Sequence, residues 1–211
     1  MASWSSVRQF VSSVRGTVPV TLLTAAAQRN GGTVTRMDQL GAIVAGGMAE
    51  TTIAGLLIEI PETRIQSGLR RFSMQAWKCF PFLLCRNIGT TIGPTLVISE
   101  SINKTSKSKL GDVPRRTEGE VWRGALCNTV LTSGAVAVVL APFQGVAARV
   151  IQEQTIAQAW ANMKTEFRWE NRHMTSLRVI SRAAYTGITG CAITAAFLVG
   201  EKYVKGNNFT T

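Results

Sequence analysis

The sequence predicts an all-α membrane helix bundle of five spanning helices joined by two short amphipathic interfacial helices. Three observations carry this. No Asp, Glu, Lys or Arg occurs from Gly124 to Ala148 or from Ala183 to Gly200, and a spanning helix needs about 20 mostly apolar residues. Gln9–Gln28, Gln39–Ile58 and Cys79–Ser99 reach that length with one interior charge each: Arg15, Glu50 and Arg86. Between the spans, apolar residues recur at helical spacing. A content of 45% hydrophobic residues in 211 would equally suit a soluble domain, so the distribution of charge decides the class.

The two uncharged stretches are spans on length alone. For the other three, a buried helix of a soluble core remains open. Their polar residues are mostly Gly, Ser and Thr, which let membrane helices approach closely and bond across an interface. A lone Arg or Glu in such a span should face the bundle interior.

The amphipathic elements come next. After Arg64, the residues Ile65, Leu69, Phe72 and Ala76 recur at steps of four, three and four. After Arg149, Ile156, Trp160, Met163 and Phe167 recur at the same steps. That spacing puts each set on one helical face, suited to a membrane interface or to an ordinary core. An aromatic–basic pair, Trp77-Lys78 or Phe167-Arg168, then leads into a further span. Those spans end alike, Glu100 before Lys104 and Glu201 before Lys205.

The unit span, interfacial helix, span therefore occurs twice, over 38–104 and 121–205. A basic N-terminal segment with one span covers 1–37, a polar linker joins the units at 105–120, and 206–211 is a tail.

The net charge of +11 and pI near 10.3 imply an anionic partner. The basic residues lie between the spans rather than in a stripe interleaved with aromatics, which favours lipid headgroups over nucleic acid. Residues 1–37 hold Arg8, Arg15, Arg29 and Arg36 and no acid. This composition suits a mitochondrial targeting segment or a basic flank of the membrane. The loop charges do not orient the chain, since both Glu62–Lys78 and Ser101–Arg123 are basic.

Cys79, Cys85, Cys127 and Cys191 form no C-x-x-C pair, and each sits in or beside an apolar span, so packing is their expected role. With His173 as the one histidine, no zinc site, catalytic residue or cofactor is expected. The phosphate-loop, dinucleotide, nucleophile-elbow and H-E-x-x-H signatures are missing, so an enzyme is not the reading.

The order of elements resembles the mitochondrial carrier family, whose three units place six tilted helices around a substrate path. Its odd helices end in P-x-[DE]-x-x-[KR]-x-[KR]. Here Pro142 and Arg149 keep the first and last positions, with Gln144 and Ala147 between them. The earlier copy keeps Glu59 and Arg64, with Leu57 and Glu62 at the other two positions. The aromatic–basic–Gly motif survives as Trp77-Lys78 and Phe167-Arg168 without its glycines. Pro81–Gly89 is similar to the start of an even helix, and Arg15-Gly16-Thr17-Val18-Pro19 resembles the same entry.

On this resemblance the chain is a carrier lacking its first odd helix and first interfacial helix. It implies a vestigial gate at Glu59, Glu62, Arg64, Gln144 and Arg149, and another at Glu100, Lys104, Glu201 and Lys205. An ordinary i, i+4 pair at a helix end is the alternative for these Glu–Lys pairs. Glu59 would lack its usual basic partner, because Ala147 stands at the matching position. Arg15, Glu50 and Arg86 would face lipid where a wall is missing unless another protein covers them. Trp77, Lys78, Phe167 and Arg168 would hold lipid phosphates, cardiolipin among them.

The expected function is a non-transporting, carrier-derived structural subunit of a multi-pass mitochondrial inner-membrane complex, of the respiratory chain or ATP synthase. Its partners would be the other subunits and membrane lipids. The alternative is a working solute transporter of the carrier family.

Overall fold

The computed structural model describes residues 4–108 and 117–205, with side-chain surroundings described from Thr17 onward except at 108, 118, 169, 172–174, 201, 202, 204 and 205. All regular structure in the described residues is helical. Helix α1 is Trp4–Arg29. Helix α2, Arg36–Glu50, runs on through a π-helical segment, Thr51–Glu59, into α3, Ile60–Gln66. Helix α4 is the single turn Met74–Trp77, α5 is Phe80–Ser108, α6 is Glu118–Ile151 and α7 is Ile156–Glu166. A 3-10 turn at Trp169–Asn171 leads into α8, Arg172–Lys205.

The five expected spans thus fall on five long helices. Three stretches, Arg36–Gln66, Gly119–Ile151 and Thr175–Gly200, are long and apolar enough to cross a membrane. Helix α5 falls short on composition because it occupies the centre. It packs against α1, α2, α6 and α8 and buries Asn87, Thr90, Thr91, Thr95 and Ser99. A helix shielded by its neighbours has no need of an apolar surface.

Close helix approach rests on small residues. A Cβ on Gly47 of α2 would lie 2.8 Å from the main chain of Ile88 on α5. A Cβ on Gly93 of α5 or Gly190 of α8 would meet Ser133 Oγ of α6, at 2.5 and 2.9 Å. Ser133 is therefore the point where three helices meet, with Thr129 and Thr194 hydroxyls bonded across α6 and α8 at 3.1 Å nearby. Small-residue seams of this kind allow dense packing without long side chains.

The ends of the long helices are set by local chemistry. Thr35 with Asp38, Thr117 with Glu120 and Thr155 with Gln158 form capping boxes at the starts of α2, α6 and α7. Helix α3 stops where Gly68 takes φ +71°. The Gly68 N–H donates to Ile65 O and the Leu69 N–H to Arg64 O, a Schellman ending. Helix α6 stops in the same way at Glu153, which takes φ +70° without being glycine. There the Glu153 N–H donates to Val150 O and the Gln154 N–H to Arg149 O.

That stop at Gly68 corrects the first amphipathic helix expected from Ile65 to Ala76. The left-handed turn breaks the periodicity, Ile65 and Phe72 are exposed, and beyond the end of α3 at Gln66 only Met74–Trp77 is helical. The second amphipathic segment does form a helix, α7. Its Ala159 and Met163 are buried, Trp160 is half-buried against Phe82 and Phe143 with edge-on rings, and Ile156 and Phe167 stay exposed. The expected linker is shorter than 105–120, since α5 continues through Ser108 and the Thr117 cap starts α6 at Glu118. The tail 206–211 lies outside the described residues.

The cysteines divide. Cys79 is wholly buried and Cys191 half-buried, whereas Cys85 and Cys127 are exposed and have no packing role within the chain.

Candidate functional site

The π-helical segment ends at Glu59, two residues before Pro61, which has no N–H to give the helix. A shift to i→i+5 bonding absorbs that loss, and such shifts recur at functional sites. The segment presents Thr51 and Glu59 to α5 and so creates a polar network inside the bundle.

At its centre Arg86 donates to both oxygens of Glu59, at 2.6 and 2.7 Å. Its Nε donates to Asn87 Oδ1 at 2.8 Å, and Asn87 Nδ2 donates to Thr51 Oγ1 at 3.0 Å. The Thr51 hydroxyl returns to Gly47 O at 2.7 Å. Thr90 and Thr91 hydroxyls both donate to Asn87 O. A forked guanidinium–carboxylate pair fixes orientation as well as charge. The network ties α2 and the π segment to α5 by side-chain bonds.

This corrects two expectations. Glu59 has a base, Arg86, taken from the even helix of its own unit instead of an odd helix of the next. Arg86 and Glu50 are each 9% exposed, so the chain covers them itself because α1, α2 and α8 close around α5. Arg15 is outside the residues with described side chains.

A second layer lies at the end of the bundle, where α3 and α6 stop. Arg64 is 1% exposed. It donates to Arg70 O at 2.6 Å, Ile151 O at 2.9 Å and Glu153 Oε1 at 2.8 Å. Both helix endings are thereby bound to one guanidinium. Arg149, the matching residue of the second unit, pairs with Glu166 and donates to Gly145 O and Met163 Sδ. Arg178 of α8 reaches Glu166 at 3.3 Å. Burial acts to raise the Glu166 pKa, but the bond from Arg149 and the charges of Arg149 and Arg178 outweigh it, leaving the carboxyl below its ordinary 4.5.

The remaining expected residues are dispersed. Glu62 accepts from Gln66 one turn on, at 3.2 Å. Gln144 has its Oε1 buried without a hydrogen-bond partner among the described residues. Glu100 and Lys104 pair with each other at i, i+4 and are both half-exposed, the local arrangement of a solvated helix end. The Glu201 and Lys205 side chains lie outside those described. Trp77, Lys78, Phe167 and Arg168 are all exposed. They lie at the end of the bundle where α4 leads into α5 and α7 into α8.

No group of His, Cys, Asp and Glu among the described residues could hold a metal ion. Where α1, α5 and α8 converge, Pro19, Thr90, Thr91, Pro94, Thr95, Ile98 and Ile193 surround a void of about 10 Å³. That is the space of about one water molecule.

The sequence reading missed the π segment and the role of Asn87. Pro61 immediately after an apolar run was the available signal, because a proline there must disturb the bonding of the preceding turn. No known family model, curated protein or solved structure matches the chain.

Proposed function

We propose that this chain is a non-transporting, carrier-derived structural subunit of a mitochondrial inner-membrane complex. The observation that carries the proposal is the commitment of the interior charges to fixed internal bonds. A carrier gate must open and close, so its acids and bases must exchange partners. Here Glu59 is held by two short bonds to Arg86, and Arg64 is sealed between two helix ends.

Packing supports the same reading. Helices α5, α6 and α8 meet at Ser133, and the void beside them is of single-water size. Membrane insertion is supported by the three apolar stretches, of which only 39%, 22% and 28% is buried inside the chain. Their outward residues include Leu131, Val139, Ile180 and Ile188, each well over half exposed, and hydrocarbon is the solvent such a surface suits. Helices α1 and α5 complete the five spans of this reading. The resident assembly would be a respiratory-chain complex or ATP synthase, with lipids such as cardiolipin at the basic end of the bundle.

The test combines fractionation with transport. Mitochondria solubilised in mild detergent should release the chain only within a large complex on a native gel. Purified chain in liposomes should exchange no metabolite faster than empty vesicles. Exchange that disappears on Glu59→Gln substitution would overturn the proposal.

A further inference from the structure

At the end of α5 remote from Trp77 and Lys78, a groove of about 460 Å³ opens between α5 and the start of α2. Leu96, Glu100, Lys104 and Lys107 line it along α5, and Gln39 lines it from α2. Steps of four, four and three put the α5 residues on one helical stripe, and all four are exposed. The stripe faces outward. Ile88 of α5 meets Gly47 of α2, while Gly89 and Gly93 meet Leu140 and Ser133 of α6. At about 100° per residue, Leu96 and Lys107 fall between those two directions. They point away from Ile98, which packs on α1, and from Pro94, which meets α8.

The depth of the groove follows from the helix starts. Asn103 accepts from the Val34 N–H at 2.8 Å and donates to the Val34 carbonyl at 3.3 Å. Lys104 therefore stands level with the beginning of the apolar stretch Arg36–Gln66. Leu96 is eight residues deeper, about 12 Å along the helix. On α2, exposed Leu40 and Val44 continue the apolar surface inward. The groove thus runs from a basic mouth at headgroup level to an apolar floor at hydrocarbon depth. Lys104 pairs with Glu100, and no carboxylate among the described residues pairs with Lys107. Asp38 and Glu120, at the same end of the bundle, are held in capping boxes. Two lysines and one glutamate leave the mouth one positive charge, which a single phosphodiester neutralises.

We propose that this groove binds an anionic phospholipid of the bilayer, its phosphate held by Lys107 and Lys104 and one acyl chain lying over Leu96. Charge and depth together name the occupant. A soluble anion would use the lysines but gain nothing from Leu96, and a zwitterionic lipid would bring no net charge to the mouth. Lysines at a membrane surface draw anionic headgroups, and the groove fixes where one of them sits. Glu100 competes with the phosphate for Lys104, so it weakens the site. The proposal needs only that the chain spans a membrane. It is separate from the subunit reading and from the contacts at Trp77, Lys78, Phe167 and Arg168.

The experiment uses the full chain in phosphatidylcholine vesicles containing phosphatidylglycerol with a diazirine in one acyl chain. Photolysis should label the α5 peptide that carries Leu96, and unlabelled phosphatidylglycerol should compete better than phosphatidylcholine of the same chains. Lys107→Ala should weaken the affinity read from that competition about fivefold, and Lys107→Arg should retain it. Glu100→Gln should strengthen it, which a loss of structure does not do. Unchanged helicity and unfolding midpoint in Lys107→Ala separate binding from folding; should that variant unfold, Glu100→Gln decides alone. Label spread evenly over α6 and α8, equal competition by phosphatidylcholine, or full labelling of folded Lys107→Ala would each overturn the proposal. Displacement by glycerophosphoglycerol, the headgroup without chains, would show a site for a soluble phosphate and overturn it too. So would a photo-crosslinker at Leu96 that captures a protein in place of phospholipid in native membranes. A free, transporting pool of the wild-type chain would remove the subunit reading and leave this site standing.

Discussion

Arg64 offers the sharpest test of how the end of the bundle is held. Its guanidinium is buried and donates to the carbonyls of Arg70 and Ile151 and to the Glu153 carboxylate. In Arg64→Met, the methionine keeps much of the stem and removes every donor. The buried Ile151 carbonyl then lacks its charged partner, at about 1–3 kcal/mol, and the part-buried Arg70 carbonyl loses a bond of about 0.5–1.5 kcal/mol. Glu153 is 50% exposed and is rehydrated, so its share is about 0–1 kcal/mol. No orphan charge remains, because the charge itself has been removed. The expected loss is therefore about 1.5–5.5 kcal/mol, centred near 3.5. Reversible unfolding in mixed micelles, followed by tryptophan fluorescence, measures it. Amide exchange should rise first at Gly68–Ser73 and at Glu153–Thr155, where the two Schellman endings meet the arginine. Arg70→Ala is the control, since only its carbonyl takes part. A change below about 1 kcal/mol for Arg64→Met, within the range of an ordinary surface substitution, would refute the stapling role.

Three other outcomes follow from the geometry. Gly47→Ala should cost about 1–3 kcal/mol by overpacking, because the new methyl meets the Ile88 main chain; exposed Gly41→Ala should cost nothing in the same unfolding assay. Glu59→Gln should cost about 3–5 kcal/mol by orphaning buried Arg86, and adding Arg86→Met should recover part of that loss; a double variant no better than the single one would contradict the pairing. Glu166 has a folded pKa below its unfolded value, so its contribution is present above pH 4.5 and fades as pH falls through the lower folded value. Glu166→Gln should therefore flatten the acid limb of a stability–pH curve.

Lipid contact is tested separately. Native mass spectrometry should find less retained phospholipid in Lys78→Ala and Arg168→Ala, whose side chains are exposed where α4 meets α5 and beyond the end of α7. Unchanged retention would reject these positions.

The helical class and the places of the long helices are legible in the sequence because both are local properties. Runs without charge, capping boxes at Thr35, Thr117 and Thr155, and a stop after Arg149 act within a few residues. The repeat is legible for the same reason, and Arg64 and Arg149 do occupy matching places in two Schellman endings. Gly68 was equally readable, yet apolar periodicity across it outweighed the turn signal, and the expected helix there is broken.

Pairing of charges was decided by tertiary structure. The sequence marks Arg86 as an in-span charge and Glu59 and Arg149 as gate positions but not which charges meet, since Glu59 and Arg86 are brought together only by packing of the π segment on α5. Whether an in-span residue faces lipid or a neighbour depends on which helices surround it. Central α5 is polar because four helices shield it. Composition sets what a helix can tolerate, and only the arrangement of neighbours sets what each side chain touches.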